Sequence, residues 1–168
     1  KYQGMPLEGY THIFKNLLDH PNITVELNVD AKDYITFADG EDGKRTVLYK
    51  GKEFKGEVIY TGALDELFDC KFGRLPYRSL RFETEYHLED HYQPRGVVNY
   101  TVTEDYTRIT EYKYLTGQQI KGTTIMKEYP LDYTGAAGQT PYYAIMNENN
   151  INLYNKYKEL VEGIDGFH

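Results

Sequence analysis

Arg78, in LPYRSLRFETEYH, and Arg108, in YTRITEYKY, each sit in a run where apolar and polar residues alternate. Strand side chains point to opposite faces every second residue. Arg78 therefore shares a face with Leu80, Phe82 and Thr84, while Tyr77, Ser79, Arg81 and Glu83 take the other. Arg108 falls with Thr110, Tyr112 and Tyr114, and Asn99, in VVNYTV, falls with Val97 and Thr101. If these runs pair in one sheet, two guanidiniums, an amide and several phenols converge on one surface. Two inward-facing guanidiniums suit a diphosphate, because each planar fork takes two oxygens. The competing reading is structural. A guanidinium on a buried apolar face costs several kcal/mol unless it is paired, and Glu83, Glu85, Glu104, Glu111 and Glu128 are candidate partners.

Other groups carry weaker signals. His87 and His91 would share a helix face, but they fall at a strand end and in a polar turn, so they read as solvated and not as metal ligands. Glu83 and Glu85 share a strand face, as surface carboxylates commonly do. ADGEDG lacks the ordered ligand spacing and closing glutamate of a calcium loop. Cys70 has no histidine near it in sequence and reads as a core residue. The chain contains no GxSxG, Walker or GxGxxG run.

The elements that must position these groups follow from the same patterning. Gly9 to His20 places Tyr10, Ile13, Phe14, Leu17 and Leu18 on one helical stripe, with Thr11 as N-cap and Pro21 as the stop. NITVELN (22–28) alternates like a strand, and RTVLY and KEFKGEVIY predict a hairpin around Lys50-Gly51 with a further strand over 57–61. ALDELFDCKFG predicts a short helix capped by Gly73. From Leu75, PYRSLRFETEY, GVVNYTV, YTRITEYKYL and TTIMKEYP follow one another across short polar turns, the pattern of an antiparallel sheet. A glycine-rich loop and an amphipathic helix over 150–164 complete the chain. The fold class is α+β, with an α/β-like segment over 1–74, an antiparallel sheet over 75–145 and a returning helix over 146–168.

Composition bounds the function. A chain of 168 residues is long enough for a sizeable core, and 40% hydrophobic with 27% charged residues marks it as globular. The net charge of −7 argues against wholesale nucleic-acid binding. No apolar run approaches the ~20 residues of a membrane span, and no signal peptide is visible. One cysteine excludes an internal disulfide and fits a reducing, cytoplasmic setting. The 18 tyrosines suit β-structure and also sugar or nucleotide sites. The opening KYQGMP and the closing EGIDGFH read as the ends of a piece of a longer protein.

The string VIYTGALDELFDCKFGRLPYRSLRFE closely resembles the UDP-galactopyranose mutase family. The resemblance continues through YQGMPLEGYTHIFKNLLDHPNITVELN, VVNYT, YTRITEYKY, TTIMKEYP, PYY and NNINLYNKYKEL, from residue 2 to about 161. It implies an isomerase (an intramolecular transferase) that interconverts UDP-galactopyranose and UDP-galactofuranose for cell-wall polysaccharide synthesis. It implies reduced FAD as cofactor, with the flavin itself as nucleophile. It implies that Arg78 lines the substrate cleft, Arg108 holds the diphosphate region and Asn99 belongs to the same cleft. One of Tyr142 and Tyr143, with Tyr142 slightly favoured, and Tyr2 would contact phosphate. It implies an FAD domain built from discontinuous segments, one of them at roughly 4–74, joined to a six-stranded substrate-side sheet.

The sequence departs from the family in several places. The FAD-binding GxGxxG, the mobile-loop helical segment and the closing flavin segment are absent. Asn99 and Arg108 are one residue closer together than the family has them. Ala63 and Ala144 replace prolines. The chain alone is therefore expected not to hold FAD and to be inactive in isolation. A non-catalytic nucleotide-sugar binding module and a protein-interaction domain are the alternatives, and a homo-oligomer is compatible with either.

Overall fold

The computed structural model describes residues 4–39 and 43–168. In chain order the elements are α1 (Gly9–Leu18), β1 (Ile35–Asp39), β2 (Arg45–Tyr49), β3 (Lys52–Glu53), α2 (Leu64–Leu67), β4 (Tyr77–His87), β5 (Val97–Asn99), β6 (Arg108–Glu111), α3 (Tyr112–Thr116), β7 (Thr123–Asp132), β8 (Tyr143–Ala144) and α4 (Glu148–Val161). Antiparallel sheets plus helices make this an α+β chain. No helix among the described residues is long and apolar enough to cross a membrane. The chain divides into two compact units, residues 4–25 with 77–144, and residues 26–76 with 145–168.

The first unit is a sheet of five strands among the described residues, where the resemblance implies six, in the order β5-β6-β7-β4-β8. Alternation sustained along β4 gives it ten paired positions against β7, from Arg78 opposite Asp132 to His87 opposite Thr123. One sheet face is covered: Ile109 and Ile125 are fully buried there, with Glu111 and Thr123 beside them. The face of Arg78 and Phe82 is open, and Phe82 is 50% exposed. The competing reading that places Arg78 on a buried apolar face is therefore corrected. An antiparallel sheet needs cover on only one side, so the guanidinium stays solvated. A second correction concerns YTRITEYKYL. The strand stops at Glu111 and α3 follows, ended by Gly117 with φ +67°, so Tyr112 and Tyr114 do not share the face of Arg108. A glycine takes that left-handed turn without strain.

Elsewhere in this unit, α1 begins after Glu8 with no side-chain cap, so Thr11 lies inside the helix and is not its N-cap. None of its residues is buried, and the stripe from Tyr10 to Leu18 is solvent-exposed. Residues 23–27 form no strand. Alternation alone makes no strand without a neighbour to pair with, and Asn28 turns the run aside at φ +58°.

In the second unit Lys50 (φ +52°) and Gly51 (φ +75°) form the two-residue hairpin turn. The preceding strand β1 runs antiparallel to β2 and was not anticipated. The expected strand over 57–61 reduces to one parallel bridge, Val58 to Phe167. The helix at α2 is only four residues long, and Gly73 does not cap it, because the chain turns left-handed already at Asp69 and Cys70. There Asp65 Oδ2 accepts from the Leu75 N–H at 2.9 Å. Cys70 Sγ lies 3.7 Å from the same oxygen, and burial pushes its thiol pKa up. α4 is capped by Asn147, whose side chain accepts from the Asn150 N–H at 2.9 Å. It buries Tyr157 completely.

Glu111 gives the sheet a pH dependence. Burial pushes its carboxyl up, but the Thr123 hydroxyl, the Tyr92 and Gln93 N–H groups and His91 together hold it below its ordinary value near 4.5. A carboxyl depressed in the folded state stabilises the fold above its unfolded pKa, and that contribution is lost as pH falls through the folded value. Thermal melting is therefore expected to drop as pH falls below about 4.5, and the drop should be smaller in Glu111→Gln. An equal drop in parent and variant would contradict this.

Candidate functional site

Strand register sets the geometry of the open face. Residues directly opposite one another across a ladder point the same way. Asn99 is opposite Arg108, Arg108 opposite Glu128, and Glu128 opposite Phe82. Two steps further along β4, Leu80 meets Pro130; two more bring Arg78 against Asp132 on one side and Tyr143 on the other. Arg78, Asn99 and Arg108 thus share one face, and a cleft of about 490 Å³ opens on it, lined by all three and by Tyr142 and Tyr143. Tyr2 lies outside the described residues.

The two guanidiniums are not equivalent. Arg108 Nε donates to Asn99 Oδ1 at 3.0 Å, and its Nη1 lies 3.6 Å from Glu128 Oε2. Its side chain remains 40% exposed, whereas that of Glu128 is 9% exposed. The fork is therefore held by an amide and a carboxylate but still faces the cleft. Arg78 has no hydrogen bond or ion pair from its guanidinium among the described residues. Its carbonyl accepts from the Tyr142 N–H at 2.8 Å, which ties the tyrosine pair to β4. The rings of Tyr142 and Tyr143 are 5.7 Å apart, and both are more than half exposed. Arg108 thus has the carboxylate partner of the structural alternative, Glu128, and Arg78 has none among the described residues.

Tyr100, Tyr106 and Glu104 also line the cleft and were not singled out as site residues from sequence. Tyr100 and Tyr106 meet edge to face at 5.0 Å. Their position in the turn between β5 and β6 was the available signal. The remaining candidates lie elsewhere. Glu85 pairs with Lys127 at 2.6 Å, and that bond is the first cause holding its carboxyl below the ordinary range. Glu83 pairs with Arg81. The histidines are engaged more than expected: His87 packs on Tyr92, and His91 stacks on Tyr114, both at 4.6 Å. No group of histidine, cysteine or carboxylate side chains among the described residues is arranged to hold a metal.

A flavin dinucleotide needs a glycine turn leading from a parallel strand into a helix N-terminus, where its pyrophosphate sits. Both sheets here are antiparallel, and α1 and α4 are not entered from a strand by such a turn. The described residues do not fit the FAD pyrophosphate. What the arrangement offers is an open cleft of mixed polar and apolar lining, with two cationic forks, the carboxylates of Glu104 and Glu128 and phenol tips; the forks suit a phosphorylated ligand.

A family model described as UDP-galactopyranose mutase matches residues 1–168. The chain is similar to dTDP-fucopyranose mutase of Escherichia coli, 37% identical over 164 residues, 95% of this chain and 40% of that protein. It is similar to the probable UDP-galactopyranose mutase of Klebsiella pneumoniae, 35% identical over 166 residues, 96% of this chain and 38% of that protein. With UDP-galactopyranose mutase of Mycoplasma pneumoniae it is 32% identical over 170 residues, 99% of this chain and 41% of that protein. The chain spans about 40% of the length of these curated relatives.

Proposed function

The chain belongs to the UDP-galactopyranose mutase family, and from that membership we propose that it supplies the substrate-side face of an FAD-dependent isomerase interconverting UDP-galactopyranose and UDP-galactofuranose. Arg78 and Arg108 grip the diphosphate, Asn99 orients the Arg108 fork, and one of Tyr142 and Tyr143, with Tyr142 slightly favoured, offers its phenol to the oxygens. Tyr2 joins them in the same reading. The supporting observation is that Arg78, Asn99, Arg108, Tyr142 and Tyr143 line one cleft in which the Arg78 guanidinium has no partner among the described residues. Two forks carried on β4 and β6, with β7 between them, can hold a diphosphate in one orientation, and orientation is the part of catalysis that binding residues contribute. The sheet joins an FAD domain in the whole protein, and the setting is cytoplasmic.

The similarity to dTDP-fucopyranose mutase favours a second reading that changes only base and sugar. The diphosphate grip is common to both. Calorimetric titration of the 168-residue chain with UDP, dTDP and uridine tests the shared part. Both diphosphates should bind, more weakly as salt rises, and uridine should give no heat. Equal heats for uridine and UDP would overturn the diphosphate assignment. In anaerobic mixtures of this chain with reduced FAD and UDP-galactofuranose, no UDP-galactopyranose is expected, because the described residues do not fit the FAD pyrophosphate. Its formation would contradict that reading.

A further inference from the structure

Glu111 lies three residues along β6 from Arg108, on the covered face behind the cleft, and its side chain is fully buried. Its carboxylate accepts from the N–H groups of Tyr92 and Gln93, both at 3.0 Å, and from the Thr123 hydroxyl at 2.8 Å. His91 Nδ1 stands 3.5 Å away. The Glu111 N–H donates to the Gly96 carbonyl at 2.7 Å. Gln93 is fastened twice more, by its Nε2 to the Ile109 carbonyl at 3.2 Å and by the Tyr114 hydroxyl, which donates to its carbonyl at 2.9 Å. The connection from Tyr92 to Gly96 is thus tied down just before β5 begins.

β5 is a three-residue edge strand, and its last residue is Asn99. So short an edge strand, bonded on one side only, opens readily unless its entry is fixed. Asn99 in turn orients the Arg108 fork. We propose that Glu111 is a positioning residue for the cleft: by clamping the β4–β5 connection it fixes β5, and through Asn99 it aims Arg108. The functional half of this rests on the diphosphate reading above. Three donors converge on the side chain, and a carboxylate has acceptors for all of them. An amide has one acceptor oxygen and sets its own NH2 against an N–H.

Two measurements on the 168-residue chain test the proposal. The first needs no ligand. The Tyr100 N–H donates to the Thr107 carbonyl at 2.9 Å and does not touch Glu111, so it reports on the strand. In Glu111→Gln its hydrogen exchange should quicken about tenfold while amides of the β4–β7 ladder keep their rates. Unchanged exchange at Tyr100, or equal quickening along β4–β7, would overturn the clamp. The second is UDP calorimetry. Glu111→Gln should bind about fivefold more weakly, the effect of one net hydrogen bond. The double variant with Asn99→Ala should bind no more weakly than Asn99→Ala alone, because both changes act through one contact. Additive losses would refute the route through Asn99. If the parent binds no UDP, the diphosphate reading fails, and Tyr100 exchange still decides whether Glu111 fixes β5. Should Glu111→Gln not fold, Thr123→Val removes one donor from the same carboxylate and is read in the same two ways.

Discussion

Arg78→Ala is expected to weaken UDP binding about 30-fold or more while leaving the melting temperature of the chain unchanged. The expectation follows from the state of the guanidinium. It is solvated, it has no partner among the described residues and it faces the cleft. Truncation therefore removes no hydrogen bond or ion pair among the described residues. A charge-assisted hydrogen bond contributes roughly 1.5–3 kcal/mol, and a bidentate fork on a diphosphate lies toward the upper end of that range.

Arg108→Ala should behave differently. It leaves the Glu128 carboxylate, only 9% exposed, without its cation. Binding and melting temperature should then fall together, because a largely buried charge that loses its partner is costly. Calorimetry and thermal melts on parent, Arg78→Ala and Arg108→Ala separate the two roles. Identical binding heats in all three would remove both arginines from the site.

Tyr157→Ala is expected to cost the second unit about 3–5 kcal/mol, the range for truncating a buried aromatic, and to move its denaturation midpoint accordingly. The ring is fully buried and meets Phe72 edge to face at 5.1 Å. Its hydroxyl donates to the Gly73 carbonyl at 2.7 Å and accepts from the Phe72 N–H at 2.9 Å. One side chain on α4 thereby fixes the loop that follows α2. Tyr157→Phe keeps the ring and strands both loop groups, which costs about 1–3 kcal/mol. The two variants split packing from hydrogen bonding. A Phe variant as stable as the parent in urea would mean that the hydroxyl contributes nothing net.

The centre of the sheet was legible because the strand period is short and β4 and β7 are long. Alternation from Tyr77 to His87 marked β4 and showed that Arg78 shares a face with Leu80 and Phe82. The Lys50-Gly51 hairpin was legible from its turn chemistry, since two successive positive-φ residues suit a two-residue turn. Period alone does not say which face is covered, so it could not decide whether Arg78 and Phe82 lie on a buried or an open face. Nor does it give register. That Glu128 stands opposite Arg108 depends on how β6 slides along β7, and neither strand encodes that offset by itself. ITVEL has strand texture but no neighbour to pair with among the described residues. TEYKYL has the same texture and turns into α3, where Gly117 can close a helix. The expectation that one of Tyr142 and Tyr143 contacts phosphate rests on family resemblance, since two adjacent tyrosines after a glycine-rich loop carry no period of their own.

We propose that one face of the five-stranded sheet takes a diphosphate between Arg78 and Arg108. A crystal of the chain soaked with UDP tests it most directly. The account predicts diphosphate density within hydrogen-bond reach of both guanidiniums, with a tyrosine hydroxyl of the 142–143 pair on one of its oxygens. Nucleotide bound to the opposite face, or a solvent-open cleft left empty at saturating UDP, would contradict it.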